Sequence, residues 1–195
     1  MDEEALYHFL SFLTSPAPHT LFKGIYKLLP GHYATLNTDG DLRITEYWDV
    51  FDSAQLHPEW SAREYQEALL AELRESIRLR MVSDVPFGVF LSGGIDSSTN
   101  VALMAEQMDR PVQTFSIGYT GQERYNEFEH ARLIAKQCGA EHHETVIDED
   151  DLLSFLPGLV YHQDEPIADP VCVPIYYVSK LARDSGTIVI QVGEG

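Results

Sequence analysis

Cationic side chains are scarce in this 195-residue chain: 13 lysines and arginines stand against 31 aspartates and glutamates, a net charge of −18. A surface this acidic repels a polyphosphate backbone, so non-specific nucleic-acid binding is excluded as a role. An anionic ligand would have to be held by local hydrogen-bond donors or through a metal ion. Cysteine is almost missing too. Cys138 and Cys172 are too few for a disulfide framework and suit a reducing compartment, so a cytoplasmic location is expected. No apolar run approaches the roughly 18 residues that span a bilayer, and no membrane partner is expected. The opening Met1-Asp2-Glu3-Glu4 is acidic where a secretion signal carries positive charge. There is no internal repeat and no low-complexity tract. What remains is ordinary globular composition, 44% hydrophobic and 23% charged, which excludes disordered, collagen-like and coiled-coil classes. The length suits one large domain and at most one small one.

The chain changes texture once. Up to about residue 52, a short helix is predicted over Glu3 to Leu13, followed by a loop broken by Pro16 and Pro18. His32 to Asn37 and Leu42 to Trp48 read as strands around Thr38-Asp39-Gly40-Asp41, whose Asp-Gly pair signals a hairpin. Phe51 to Trp60 has turn residues and little periodicity, and residues 53–60 are the linker candidate. Ser61 and Glu64 then form a capping-box pattern, and Tyr65, Leu69, Leu73, Ile77 and Met81 follow at four-residue spacing. Beyond Pro86, strands are predicted at Gly88 to Leu91, Val112 to Ile117, His142 to Ile147 and Thr187 to Val192. Helices are predicted over Ile95 to Met108, Asn126 to Cys138, Asp150 to Tyr161 and Val173 to Ser185. Asn126 and Glu129 read as a further capping box. The apolar, β-branched run Thr187 to Val192 reads as a strand covered on both faces. Strands separated by helices imply right-handed crossovers, so residues 61–195 are α/β with a parallel, doubly wound sheet.

One segment carries chemistry. Ser92-Gly93-Gly94-Ile95-Asp96-Ser97-Ser98 lies between the first of these strands and its helix. Its glycines allow a sharp turn, and the loop brings free N–H groups and a helix N-terminus to one point. The serines add hydroxyl donors. An acidic protein can hold phosphate in this way, through oriented amides in place of lysines. Asp96 fits such a site as a ligand for Mg²⁺, which favours oxygen donors and substrate phosphates. The plainer reading is a glycine turn whose Asp and Ser side chains cap the helix. The string is neither a Walker A loop, which needs Gly-Lys-Ser/Thr, nor a G-x-G-x-x-G fingerprint. With strand order 3-2-1-4, the first and fourth strands are neighbours at the switch point, where such sheets bind ligands. Ser92-Gly93-Gly94 and Gly193-Glu194-Gly195 would then meet in one crevice, with Glu194 beside the reacting centre as acid or base.

Ser92 to Ser98 resembles the pyrophosphate loop of the ATP pyrophosphatases, an adenine nucleotide alpha hydrolase-like fold. Asp84 to Leu91, Phe115-Ser116-Ile117-Gly118, Asp164-Glu165-Pro166 and Gly193-Glu194-Gly195 narrow the likeness to glutamine-hydrolysing asparagine synthetases. Phe22-Lys23-Gly24-Ile25, Leu29-Pro30-Gly31-His32 and Tyr47-Trp48 resemble the closing part of that family's Ntn-type glutaminase domain. The resemblance implies a small β-rich glutaminase remnant over 1–52, a linker over 53–60 and the N-terminal part of a synthetase domain over 61–195. It implies ATP and Mg²⁺ as cofactors, aspartate as substrate and ammonia derived from glutamine as nitrogen donor. By motif position, Leu91 and Ile117 would touch adenine. Ser92, Gly93, Gly94, Asp96, Ser97 and Ser98 would hold pyrophosphate and magnesium. Val192, where serine is more usual in that family, and Gly193 would line the nucleotide. Glu194 would face the acyl-adenylate and, with Asp96, form the catalytic pair. Asp164 and Glu165 would border the substrate pocket.

The family pattern begins with a cysteine that hydrolyses glutamine and continues past the position of Gly195. A portion of a longer protein, inactive by itself and without glutaminase activity, is therefore expected. An exposed fourth strand would leave an apolar edge open to self-association. Alternatives kept open are a related amidotransferase or β-lactam-forming ligase acting on another carboxylate, and a nucleotide-binding module without catalysis. Other groups read as structural: His142 and His143 on opposite faces of a strand, Cys138 in the core, Asp148 to Asp151 as a helix start, and Tyr176-Tyr177 as packing.

Overall fold

A computed structural model describes residues 1–54, 57–163 and 169–193. The chain divides into two units. One comprises residues 1–59 with 163–169, the other residues 60–162 with 170–195.

In the first unit, α1 (Glu3–Phe12) starts where the Asp2 carboxylate accepts hydrogen bonds from the Glu4 and Ala5 amides. Strands β1 (His32–Leu36) and β2 (Leu42–Glu46) form the expected antiparallel hairpin, with Leu36 opposite Leu42 and His32 opposite Glu46. The Asn37 side chain organises its turn, accepting from the Asp39 amide at 3.1 Å and the Asp41 amide at 2.7 Å. After β2, the Asp49 carboxylate caps a single helical turn, α2 (Val50–Ser53), in a stretch whose irregular sequence suggested no helix.

The second unit opens with α3 (Ala62–Arg80). Its capping box is reciprocal: Ser61 accepts from the Glu64 amide while the Glu64 carboxylate accepts from the Ser61 amide at 2.7 Å. Four strands follow, β3 (Phe87–Phe90), β4 (Gln113–Tyr119), β5 (Glu141–Ile147) and β6 (Val189–Gln191), in one parallel sheet of order β5-β4-β3-β6. That is the 3-2-1-4 order. The intervening helices are α4 (Ile95–Ala105), α5 (Phe128–Gln137), α6 (Glu149–His162) and α7 (Cys172–Asp184).

Alternation along the strands builds a core on each face. Phe87, Val89 and Leu91 join Ile77 of α3, Val101 and Met104 of α4, and Ala131 and Ala135 of α5. Phe90, Phe115 and Ile117 turn the other way, toward Val178 and Ala182 of α7. Leu91, Val101, Met104 and Phe115 are all but excluded from solvent, and full burial of such a side chain contributes about 1.5–3 kcal/mol.

Three expectations need correction. The fourth strand spans only residues 189–191, because the Thr187 amide bonds the Ala182 carbonyl and the Ile188 and Val189 amides both reach Pro86 O. Ile188, Val189 and Val192 are exposed, so this strand is not doubly covered. Asn126 is not a helix cap. Its side-chain oxygen accepts from the Tyr119 amide at 2.7 Å, and its NH₂ donates to the Tyr119 carbonyl at 3.0 Å, prolonging β4 past Ile117. The cap position of α5 belongs to Glu127. Elsewhere the plain readings hold. His142 meets Thr114 and His143 meets Gln113, each at 2.9 Å. Cys138 packs on the core, Asp148 and Asp151 bond each other's amides, and Tyr176 stacks on Phe155. Among the described residues, no helix is long and apolar enough to cross a membrane.

Candidate functional site

The carboxyl ends of β3, β4 and β6 open into a cavity of about 640 Å³. Its walls include Leu91, Ser92, Ser97, Ile117, Val192 and Gly193, six of the residues singled out from sequence. Among the described residues, no lysine or arginine lines it.

The loop after β3 is built from its own hydroxyls. Leu91 continues the strand, its amide donating to the Phe115 carbonyl at 2.9 Å, and the Ser116 hydroxyl bonds the Leu91 carbonyl. The Ser92 and Ser97 hydroxyls lie 3.0 Å apart. Ser92 Oγ accepts from the Gly94 amide, and Ser97 Oγ accepts from the Ser92 amide. Gly93 makes the bend possible: its φ is +82°, and a Cβ there would lie 2.5 Å from the Cβ of His130 and 2.9 Å from the Ala131 amide nitrogen. Its function is to let the loop lie flat on α5. Gly94 is the N-cap of α4, and no side chain caps that helix. The capping role imagined for Asp96 and the serines is therefore not realised, and the first amides of α4 are left for another acceptor.

Asp96 is exposed in the first turn of α4. A Cβ on Gly193 would lie 3.2 Å from the Asp96 carbonyl carbon and 3.4 Å from the Asp96 Cβ. Two turns almost a hundred residues apart in sequence therefore touch. The parallel register explains it: Val89 pairs with Gln191, which sets Leu91 and Gly193 side by side at the strand ends. Ser98 lies half-buried on α4 outside the cavity wall, its hydroxyl enclosed and without a partner among the described residues. Glu194, Gly195, Asp164 and Glu165 lie outside the described residues.

No cluster of three His, Cys, Asp or Glu side chains able to hold a metal occurs among the described residues. A lone exposed carboxylate beside a phosphate-sized cradle is nonetheless a fitting donor set for Mg²⁺ that arrives with a nucleotide. That ion usually takes one or two carboxylates and completes its shell with phosphate oxygens and water.

Residues 68–195 match the family model for asparagine synthase. The chain belongs to that family. It is 36% identical over its whole length to asparagine synthetase [glutamine-hydrolyzing] 1 of Bacillus subtilis. It is 33% identical, again over its whole length, to a putative asparagine synthetase [glutamine-hydrolyzing] of Methanocaldococcus jannaschii. An amidase of Penicillium rubens is 27% identical over 90% of the chain and is covered over 28% of its own length. The chain spans 30% of the Bacillus relative and 36% of the Methanocaldococcus one.

Sequence reasoning missed part of the wall. Tyr125 and Glu127 come from the segment between β4 and α5, Phe128 from the start of α5, and Pro174 and Ile175 from the first turn of α7. A signal for the first group was present in Gly118. A Cβ there would lie 2.5 Å from the Phe128 ring, so the glycine admits that segment against β4.

Proposed function

We propose that this member of the asparagine synthase family binds ATP at the ends of β3, β4 and β6, and that the protein to which it corresponds uses it to make asparagine. The side-chain carboxylate of aspartate attacks the α-phosphorus of ATP, forming an acyl-adenylate and expelling pyrophosphate. Ammonia, supplied from glutamine, attacks the acyl carbon and AMP leaves. The contact between Gly193 and Asp96 carries this reading, because it gathers both glycine turns around one cavity.

Leu91 and Ile117 offer apolar contact to adenine from adjacent strands. The uncapped amides of α4 and the Ser92 and Ser97 hydroxyls hold the phosphates, positioning the α-phosphorus for in-line attack. Asp96 would hold Mg²⁺, which supplies charge neutralisation on the departing pyrophosphate. Ser98, with Gly93 and Gly94, is assigned to the pyrophosphate on family likeness, although its hydroxyl lies outside the cavity wall. Glu194 is proposed to assist ammonia, and Asp164 and Glu165 to border the aspartate, on family likeness alone. Residues 1–52 are assigned to the end of a glutaminase domain, 53–60 to a linker, and the reaction to the cytoplasm, where both free cysteines stay reduced. The outer edge of β6 pairs with no strand among the described residues and is the place where copies could associate.

The test is isotope exchange between pyrophosphate and ATP in the presence of aspartate, catalysed by the full-length protein to which this chain corresponds, with Asp96→Asn as comparison. Exchange that needs aspartate and falls at least tenfold in Asp96→Asn supports the reading, since a neutral amide is a poorer Mg²⁺ ligand. Exchange driven only by another carboxylic acid would move the assignment to a related ligase. ATP binding without exchange under any acid would leave a nucleotide-binding module.

A further inference from the structure

We propose that Glu127 reads the nucleoside of the bound nucleotide, its carboxylate accepting hydrogen bonds from the nucleoside's N–H or O–H donors. This rests on the ATP reading above.

Glu127 is the one charged side chain in the cavity wall among the described residues. Its side chain is exposed, but its backbone is fixed on both sides. On one side, Asn126 is fastened to both the amide and the carbonyl of Tyr119. On the other, the Phe128 ring fills the space that Gly118 leaves open. Glu127 itself starts α5, its carbonyl accepting from the Ala131 amide at 3.0 Å, with φ −98° and ψ 14°. Its side chain makes no capping bond to that helix. Serine, threonine, asparagine and aspartate are the favoured caps, so a non-capping glutamate here offers the helix its charge at the dipole and no capping bond. The fold fixes the position and makes no capping use of the acid.

A carboxylate in this wall has two possible partners: neutral donors on the nucleoside, or a cation on the phosphates. The phosphate loop also lies on α5, at His130 and Ala131, so strand order alone does not decide between them; the neighbours of Glu127 in the wall favour the nucleoside. β3 is flanked by β6 on one side and β4 on the other. Asp96 touches Gly193 after β6, which places the cation side there. Glu127 follows β4 and shares the wall with Ile117, Tyr119, Tyr125 and Phe128, the apolar and aromatic end suited to a base and its sugar. An acceptor at that end meets the exocyclic amine of adenine or the ribose hydroxyls. It would repel the carbonyl that hypoxanthine and guanine carry in place of the amine.

The experiment compares wild type, Glu127→Ala and Glu127→Gln by calorimetric titration with ATP, ITP, 2′-deoxy-ATP and 3′-deoxy-ATP, each at several Mg²⁺ concentrations. Wild type should prefer ATP to at least one analogue by about tenfold, the scale of a hydrogen bond to a charged acceptor. In Glu127→Ala that preference should fall to about one, because the donor no longer has its partner. Loss confined to ITP assigns the amine, and loss confined to a deoxy analogue assigns the sugar. Glu127→Gln, which keeps an acceptor oxygen, should lie between. Unchanged preferences in Glu127→Ala, with ATP still bound, overturn this inference alone. A changed Mg²⁺ dependence with unchanged preferences makes the residue a metal ligand and overturns it as well. No ATP binding by the wild type removes the function reading and this inference with it.

Discussion

Replacing Gly93 by alanine tests whether the phosphate loop owes its shape to α5. Two costs add. At φ +82° an alanine adopts a left-handed conformation that costs about 1–2 kcal/mol. The new methyl would also lie 2.5 Å from the His130 Cβ and 2.9 Å from the Ala131 nitrogen, where ordinary contact begins near 3.4 Å. Helix or loop must therefore yield by about 1 Å. Neither does so freely, since Ala131 and Ala135 are buried against the sheet on the same helix. Overpacking of this kind costs about 1–3 kcal/mol, which brings the total to about 2–5 kcal/mol. Gly139→Ala is the matched control: φ is +63°, but nothing lies within 4 Å of its added Cβ. It should show the conformational cost and no more. Urea unfolding followed by circular dichroism reads both. With a slope of about 2 kcal/mol/M, Gly93→Ala should lower the midpoint by about 1–2.5 M and Gly139→Ala by clearly less. ATP affinity should fall in the first and hold in the second. Equal midpoints and equal affinities would show that the loop does not depend on contact with α5.

Two further changes bear on the site and the sheet. Gly193→Val should leave the unfolding midpoint nearly unchanged, because β6 is short and half-exposed, yet weaken ATP binding at least tenfold by pushing the Asp96 backbone away. An affinity equal to wild type would show that the two turns need not touch. His142 gives a pH signature: burial pushes its imidazole below the usual histidine range, against an opposing pull from Glu144. The neutral ring is favoured in the fold, so its contribution to stability is intact above the unfolded value near 6.5 and is lost as pH falls through the lower folded value. His142→Asn should therefore flatten the decline in stability below about pH 6.5. Parallel stability curves for the two proteins would dismiss that role.

Local signals in the sequence disclosed the sheet and six of the seventeen described residues that line the cavity. Ser61 and Glu64 declared the start of α3 because a capping box needs only four adjacent residues. The Ser92–Ser98 string declared its loop because glycines and small hydroxyls together have few other uses. What stayed hidden depended on distant partners. Asn126 has the residue type of a cap, and nothing nearby in sequence says that β4 runs on to Tyr119 and offers its backbone instead. The shortness of β6 follows from Pro86, a hundred residues upstream, taking the Ile188 and Val189 amides. Glu127 could not be separated from the other thirty acidic side chains until Gly118 brought its segment against the sheet.

The acidity of the chain then acquires a physical sense. Among the described residues the cavity wall offers a triphosphate amide dipoles and hydroxyls in place of lysine or arginine, with a cation arriving on the nucleotide. Such donors are strong when aimed and weak when not, because a dipole's attraction depends on direction in a way that a lysine's charge does not. Binding should therefore be more sensitive to displaced backbone than to changed surface charge. Gly93→Ala and Gly193→Val move backbone without altering charge, whereas exposed pairs such as Arg63 with Glu67 can be neutralised without touching the loop. If neutralising that pair weakened ATP binding as much as either glycine change did, long-range charge, and not the aim of the amides, would govern the site.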